Sequence, residues 1–237
     1  MRTAAALSRR EIERIAEDIW IDYHGANLLW INPIDICAMV SEYFNLTLKY
    51  ERLSDTGAVM GLTAYRSTNV KLRRNGKVEV LPLPQGTVLV EDWLRRDESQ
   101  RGRLRFTVAH ECAHQIIFRM CDTEAALHFR RWCAGSDAHS MYHLDRAAYW
   151  SERKANELAA ALLMPIPLME FLAEAFDLRG VKVYGEYLLA PKERQAFARA
   201  AYHVGVSKQA LMIRLKQLGI IAHYPEIHNI PGHCIAV

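Results

Sequence analysis

The sequence predicts an α+β fold, mostly helical, in which a small antiparallel sheet precedes and packs on one long buried helix. Three observations carry this. Apolar residues recur at helical spacing near both ends of the chain. Between residues 46 and 90 the period falls to two, around the turn dipeptide Asn75-Gly76. The stretch Phe106 to Phe118 is then apolar almost throughout, interrupted mainly by His110-Glu111-Cys112-Ala113-His114.

In chain order, Ser8 to about Ile21 carries Ile12, Ile15, Ala16 and Ile19, with Ser8 as N-cap and Glu11 three residues on. A second helix is expected from Asn32 as cap and Pro33 in the first position, ending near Tyr43-Phe44-Asn45. Strands follow at Leu46–Tyr50, Val59–Tyr65, Val70–Arg73, Val78–Leu81 and Thr87–Val90. The buried helix is expected from Asp97 or Ser99 to Met120. Residues 121–150, rich in aromatics and histidines, have no clean period and are expected to form a long loop or helical insertion. Helices are then predicted at Ser151–Met164, Ile166–Phe176, Lys192–Tyr202 and Ser207–Leu218, the last stopped by Gly219. The domain reading is 1–190 as the main unit and 191–237 as a helical C-terminal segment.

Composition narrows the function classes. Of 237 residues, 51% are hydrophobic and 24% charged, ample for a real core. A net charge of +3 is too small to argue for direct nucleic-acid or membrane binding. Five cysteines without a C-x-x-C pair argue against a secreted disulfide framework. A soluble, cytoplasmic protein is expected.

The chemistry lies in the pentad. His110 and His114, four apart, share one helix face and can reach one metal ion, while Glu111 can take a proton from a metal-activated water. A catalytic zinc usually takes three protein ligands. Ile117 and Met120 stand where one class of H-E-x-x-H enzymes needs glycine and histidine, which excludes that class. The other common plan takes a glutamate from a later helix, and Glu152-Arg153-Lys154-Ala155-Asn156 fits it. Glu152 would ligate, and Asn156 would hydrogen-bond the outer nitrogen of a ligating histidine. Ala155, Ala159 and Ala160 would let the two helices approach. Two alternatives stay open here: Glu152 as a helix-start charge behind a Ser151 cap, and His139 or His143 as third ligand. The ligand set favours zinc, with Mn²⁺ or Fe²⁺ also able to fit.

Arg105-Phe106-Thr107-Val108-Ala109-His110-Glu111-x-x-His114 and Glu152-x-x-Ala155-Asn156-x-x-Ala159-Ala160-x-Leu162-Leu163-Met164-Pro165 together resemble the ImmA/IrrE family of metallopeptidases. Val206-Ser207-Lys208-Gln209-Ala210-Leu211, with Arg214-Leu215 and Leu218-Gly219, is similar to that family's helix-turn-helix-like segment. The resemblance spans roughly residues 30–220. It implies a zincin-like fold with His110, His114 and Glu152 as Zn²⁺ ligands and Glu111 as general base. It also implies a small helix-turn-helix repressor as protein substrate, whose cleavage switches on mobile-element or stress genes. Two departures stand out: Cys112-Ala113 inside the motif, and a longer segment between the two metal blocks. His143, Tyr142, Tyr184, Tyr202 and His203 are candidates to stabilise an oxyanion. The rival reading is a regulator that binds a repressor, or binds DNA through Lys208, Arg214 and Lys216, its metal structural or absent.

Overall fold

A computed structural model describes residues 7–25, 32–120, 146–185, 188–224 and 235–236. The expected insertion over 121–150, with His139, Tyr142 and His143, lies outside the described residues except at its last five positions. The protein is α+β, with small sheets set among helices. No single helix among the described residues is long and apolar enough to cross a membrane.

Helix α1 (Arg9–His24) opens with the expected capping box. The Ser8 hydroxyl accepts from the Glu11 N–H at 3.3 Å, and the Glu11 carboxylate accepts from the Ser8 N–H at 2.9 Å. Helix α2 (Ile36–Glu42) starts later than Asn32 and Pro33 suggested. Asp35 is the cap instead, its Oδ1 accepting from the Cys37 and Ala38 N–H groups at 3.1 and 3.2 Å. The preceding Ile34 carbonyl is occupied elsewhere, accepting from Nη2 of the buried Arg105 at 2.7 Å.

The sheet is mixed, which corrects the expected antiparallel one. Strand β5 (Thr87–Glu91) lies between β1 (Thr47–Glu51), to which it is parallel, and β2 (Gly61–Thr63), to which it is antiparallel. A parallel pair needs a long connection, and residues 52–86 supply one that itself carries β2 and a hairpin. That hairpin, β3 (Thr68–Arg74) with β4 (Lys77–Leu83), turns at Asn75 (φ 53°) and Gly76 (φ 72°). Two positive φ values are what a two-residue type I′ turn requires. The Asp55 carboxylate accepts from both turn N–H groups, at 2.6 and 3.0 Å.

Strand β5 is buried at every position because both faces are covered. Val88 and Val90 join the main core, whereas Leu89 joins a second cluster with Leu53, Ala64, Leu72 and Leu83 under the hairpin. After α3 (Trp93–Arg96), Asp97 caps a single 3₁₀ turn, Glu98–Gln100, that runs into α4 (Arg101–Met120).

Helix α5 (Arg146–Leu163) starts ahead of the expected Ser151. Ser151 is therefore interior, and Glu152 is not a charge at a helix start. Helices α6 (Ile166–Ala175), α7 (Pro191–Val204) and α8 (Lys208–Gln217) fall close to prediction. A four-stranded sheet, β8-β6-β7-β9, was not predicted. Its strands, β6 (Lys182–Tyr184), β7 (Leu188–Leu189), β8 (Ala222–Tyr224) and β9 (Ile235–Ala236), are too short to reveal a period.

Two buried donors fix the end of α5. The Trp20 indole N–H donates to the Leu162 carbonyl at 2.7 Å, and Arg214 Nε donates to the Met164 carbonyl at 2.9 Å. Carbonyls at a helix end lack intrahelical partners, so these side chains satisfy groups that burial would otherwise leave unmet. Arg214 also holds Glu13 with both terminal nitrogens, at 2.6 and 2.7 Å. Replacing Arg214 by methionine strips three acceptors of their donor and should cost about 3 kcal/mol of stability. Urea unfolding measures it, and an unchanged midpoint would contradict this role.

Candidate metal centre

The pentad lies in the middle of α4, where an apolar helix face meets α5. Ala109 and Ala113 on α4, and Ala155 and Ala159 on α5, are fully buried. Side chains this small allow two helix axes to come close, so the residues between them touch. Ala155 and Ala159 share the α5 face that carries Glu152 and Asn156, as the 3.6-residue period requires.

Across this seam the three expected ligands converge. Glu152 spans both imidazoles, with Oε2 3.2 Å from His110 Nε2 and Oε1 3.3 Å from His114 Nε2. The two Nε2 atoms are 3.0 Å apart, with the rings at 90°. All three donor atoms lie within 4.8 Å of one another, so the group can hold a metal ion. Its chemistry fits one: a proton can bridge a single pair of these atoms, whereas a divalent cation satisfies all three. Two imidazole nitrogens and a carboxylate oxygen are a set that zinc accepts readily.

The electrostatics follow from burial and mutual contact. Burial pulls His110 down, but Glu152 and Glu111 outweigh it and leave its pKa raised, Asn156 adding a smaller upward push. Burial and the neighbouring His110 hold His114 below its usual value. Burial alone would raise Glu152; the two imidazoles overcome it and keep the carboxyl well below the ordinary carboxylate range. Glu111 behaves differently. Burial pushes it up to about 7, against the pull of His110 and with a push from Glu152. Cys112, on the opposite side of α4, is fully buried, and desolvation raises its thiol.

Three residues that sequence reasoning passed over complete the site. Gly61 of β2 lies directly on Glu111: a Cβ there would come within 2.6 Å of Glu111 Oε1. Thr63, two residues along the same strand face, accepts at Oγ1 from Gln115 Nε2 at 2.6 Å, and Gln115 is only 4% exposed. The available signal was Gly61 itself, since glycine inside a strand pattern marks a close approach. The buried amide of Gln115, next to the second histidine, gave none.

Other candidates are located elsewhere. Tyr184 stacks on Tyr224 with centroids 5.6 Å apart, His203 tilts against Phe176, and Tyr202 is 78% exposed. Arg214, a suggested phosphate contact, is 2% exposed and committed to Glu13 and Met164. That removes the central cation from the DNA-binding reading. His139, His143 and Tyr142 lie outside the described residues. No model of a known protein family matches the chain, and a search of curated proteins finds no match.

Two ligand substitutions are diagnostic. His114→Ala and Glu152→Ala should each abolish stoichiometric Zn²⁺ binding. The expected hydrogen bond from Asn156 to an outer histidine nitrogen is not formed on His110, whose buried Nδ1 has no partner among the described residues, so Asn156→Ala should weaken binding by less than about tenfold. His139→Ala and His143→Ala should leave it unchanged. Competition with a chromogenic chelator reads all five affinities, and retention of Zn²⁺ by Glu152→Ala would exclude that carboxylate as third ligand.

Proposed function

We propose that the chain is a zinc-dependent endopeptidase similar to the ImmA/IrrE metallopeptidases. Its proposed substrate is a small helix-turn-helix repressor, cut to release mobile-element or stress genes from control. The observation that carries this reading is Glu111: a carboxyl 7% exposed, next in sequence to a histidine of the three-donor cluster and facing Gly61 of β2. A purely structural metal would be held by four protein ligands and would need no such neighbour.

His110, His114 and Glu152 would hold the zinc. Zinc in that set supplies Lewis acidity, polarising a carbonyl and acidifying water. Glu111, buried beside that site, can accept a proton from the attacking water and return it to the leaving amine. Its burial keeps bulk water away from that transfer, while His110 limits the upward shift.

Peptide binding has a natural partner in β2. Among the described residues this strand is at the edge of the β1-β5-β2 sheet, with β5 on one side only. Its other edge can accept an extended peptide through main-chain hydrogen bonds, next to Glu111. Strand addition of this kind reads backbone more than side chains, so repressor choice would be set by contacts farther out.

Glu111→Gln should retain Zn²⁺ and lose cleavage by at least about 100-fold. The assay uses the helix-turn-helix repressor encoded beside the gene and follows its fragments by mass spectrometry. Cleavage at the wild-type rate would reject Glu111 as base. A wild-type protein that binds the repressor without cutting it would favour the regulator reading.

A further inference from the structure

Strand β2 meets α4 through a residue without a side chain. Gly61 and Thr63 share the strand face turned to the helix, while Leu62 between them joins the hairpin cluster. A Cβ on Gly61 would lie 2.6 Å from Glu111 Oε1, 2.9 Å from Glu111 Cγ and 2.8 Å from Thr107 Cγ2. Real Cβ atoms essentially never approach so closely. Gly61 is not among the glycines with positive φ, so its backbone conformation does not demand glycine. Space does.

The depth of the strand is set by a second contact. Thr63 Oγ1 accepts from Gln115 Nε2 at 2.6 Å. Glu111 and Gln115 are one helical turn apart, a rise of about 6 Å, and Gly61 and Thr63 are about 6.6 Å apart along the strand. The two periods match, so one hydrogen bond at Thr63 fixes how hard Gly61 presses on Glu111.

We propose that Gly61 is a positioning residue for Glu111. The bare backbone of β2 forms a wall against the Glu111 carboxyl and its Cγ, restricting its side-chain rotation, while Thr63 and Gln115 hold that wall in place. The edge that would bind peptide and the carboxyl that would move the proton are thereby set by one contact. The role assigned to Glu111 rests on the metallopeptidase reading; the contact itself does not.

The test loads metal-free protein with Co²⁺ alone and records its affinity and visible absorption, together with thermal midpoints without metal. Gly61→Ala should bind Co²⁺ with less than about a tenfold loss, milder than removal of a hydrogen-bonded ligand partner. Its visible spectrum should nevertheless shift in the direction that Glu111→Gln shifts it. Adding Thr107→Ser, which deletes only the Cγ2 neighbour, should leave that shift in place. Adding Glu111→Ala should recover more of the lost midpoint than adding Thr107→Ser does. This comparison stands even if Gly61→Ala alone does not fold, because the two double variants can be compared directly. A wild-type spectrum in Gly61→Ala, or full recovery by Thr107→Ser, would overturn the proposal and leave Gly61 as packing against Thr107. A wild-type protein that binds no Co²⁺ would instead overturn the metal-centre reading, with the midpoints still testing the contact.

Discussion

Everything at the centre depends on how closely α4 and α5 pack. Glu152 of α5 reaches both imidazoles of α4, and the small side chains Ala155 and Ala159 on its own helix, like Ala109 and Ala113 on α4, are fully buried. A bulkier residue at any of the four would strain a core filled to native density. The seam is held from outside as well. Trp20 from α1 and Arg214 from α8 each donate to a carbonyl at the end of α5, so two distant parts of the chain fix one helix. Stability and site geometry therefore share the same contacts. A mutation at the α5 terminus would act on Glu152 through the helix that carries it.

The electrostatic pattern has the same origin. Four ionisable groups, His110, Glu111, His114 and Glu152, are concentrated where α4 meets α5 and β2. Those in direct contact, the two imidazoles and Glu152, set one another's charge. Among the described residues Glu111 lacks such a hydrogen-bonded partner, and desolvation governs it. Without a metal, two carboxyls close in space are thus pushed in opposite directions, Glu152 down by the imidazoles and Glu111 up by burial. That separation is the usual physical signature of groups with different tasks, one holding charge and one exchanging protons.

Much of this was legible in the sequence, for identifiable reasons. The histidine spacing obeys the helical period, so the pairing of His110 with His114 needed no tertiary information. The small residues around Glu152 announced a close helix contact. Ser8 with Glu11, Asn75-Gly76 and Ser207 acted through local hydrogen bonds and backbone angles, and their elements start or turn where expected. What escaped was non-local. The parallel pairing of β1 with β5 depends on a return after a long connection. The start of α2 was decided by Asp35 and by Arg105, far along the chain, claiming the Ile34 carbonyl. Arg214 looked like a surface cation on a recognition-type helix; its burial depends on Glu13, at the other end of the sequence. Gly61 was visible only as a glycine in a strand.

Two helices bring together a three-donor, mixed nitrogen and oxygen group able to hold a metal. X-ray absorption at the zinc edge of the purified protein tests it most directly. A four-coordinate ion with two imidazoles and oxygen donors, all at about 2.0–2.2 Å, is the expected result. A sulfur scatterer at about 2.3 Å, or a third imidazole, would contradict it by moving a ligand away from Glu152.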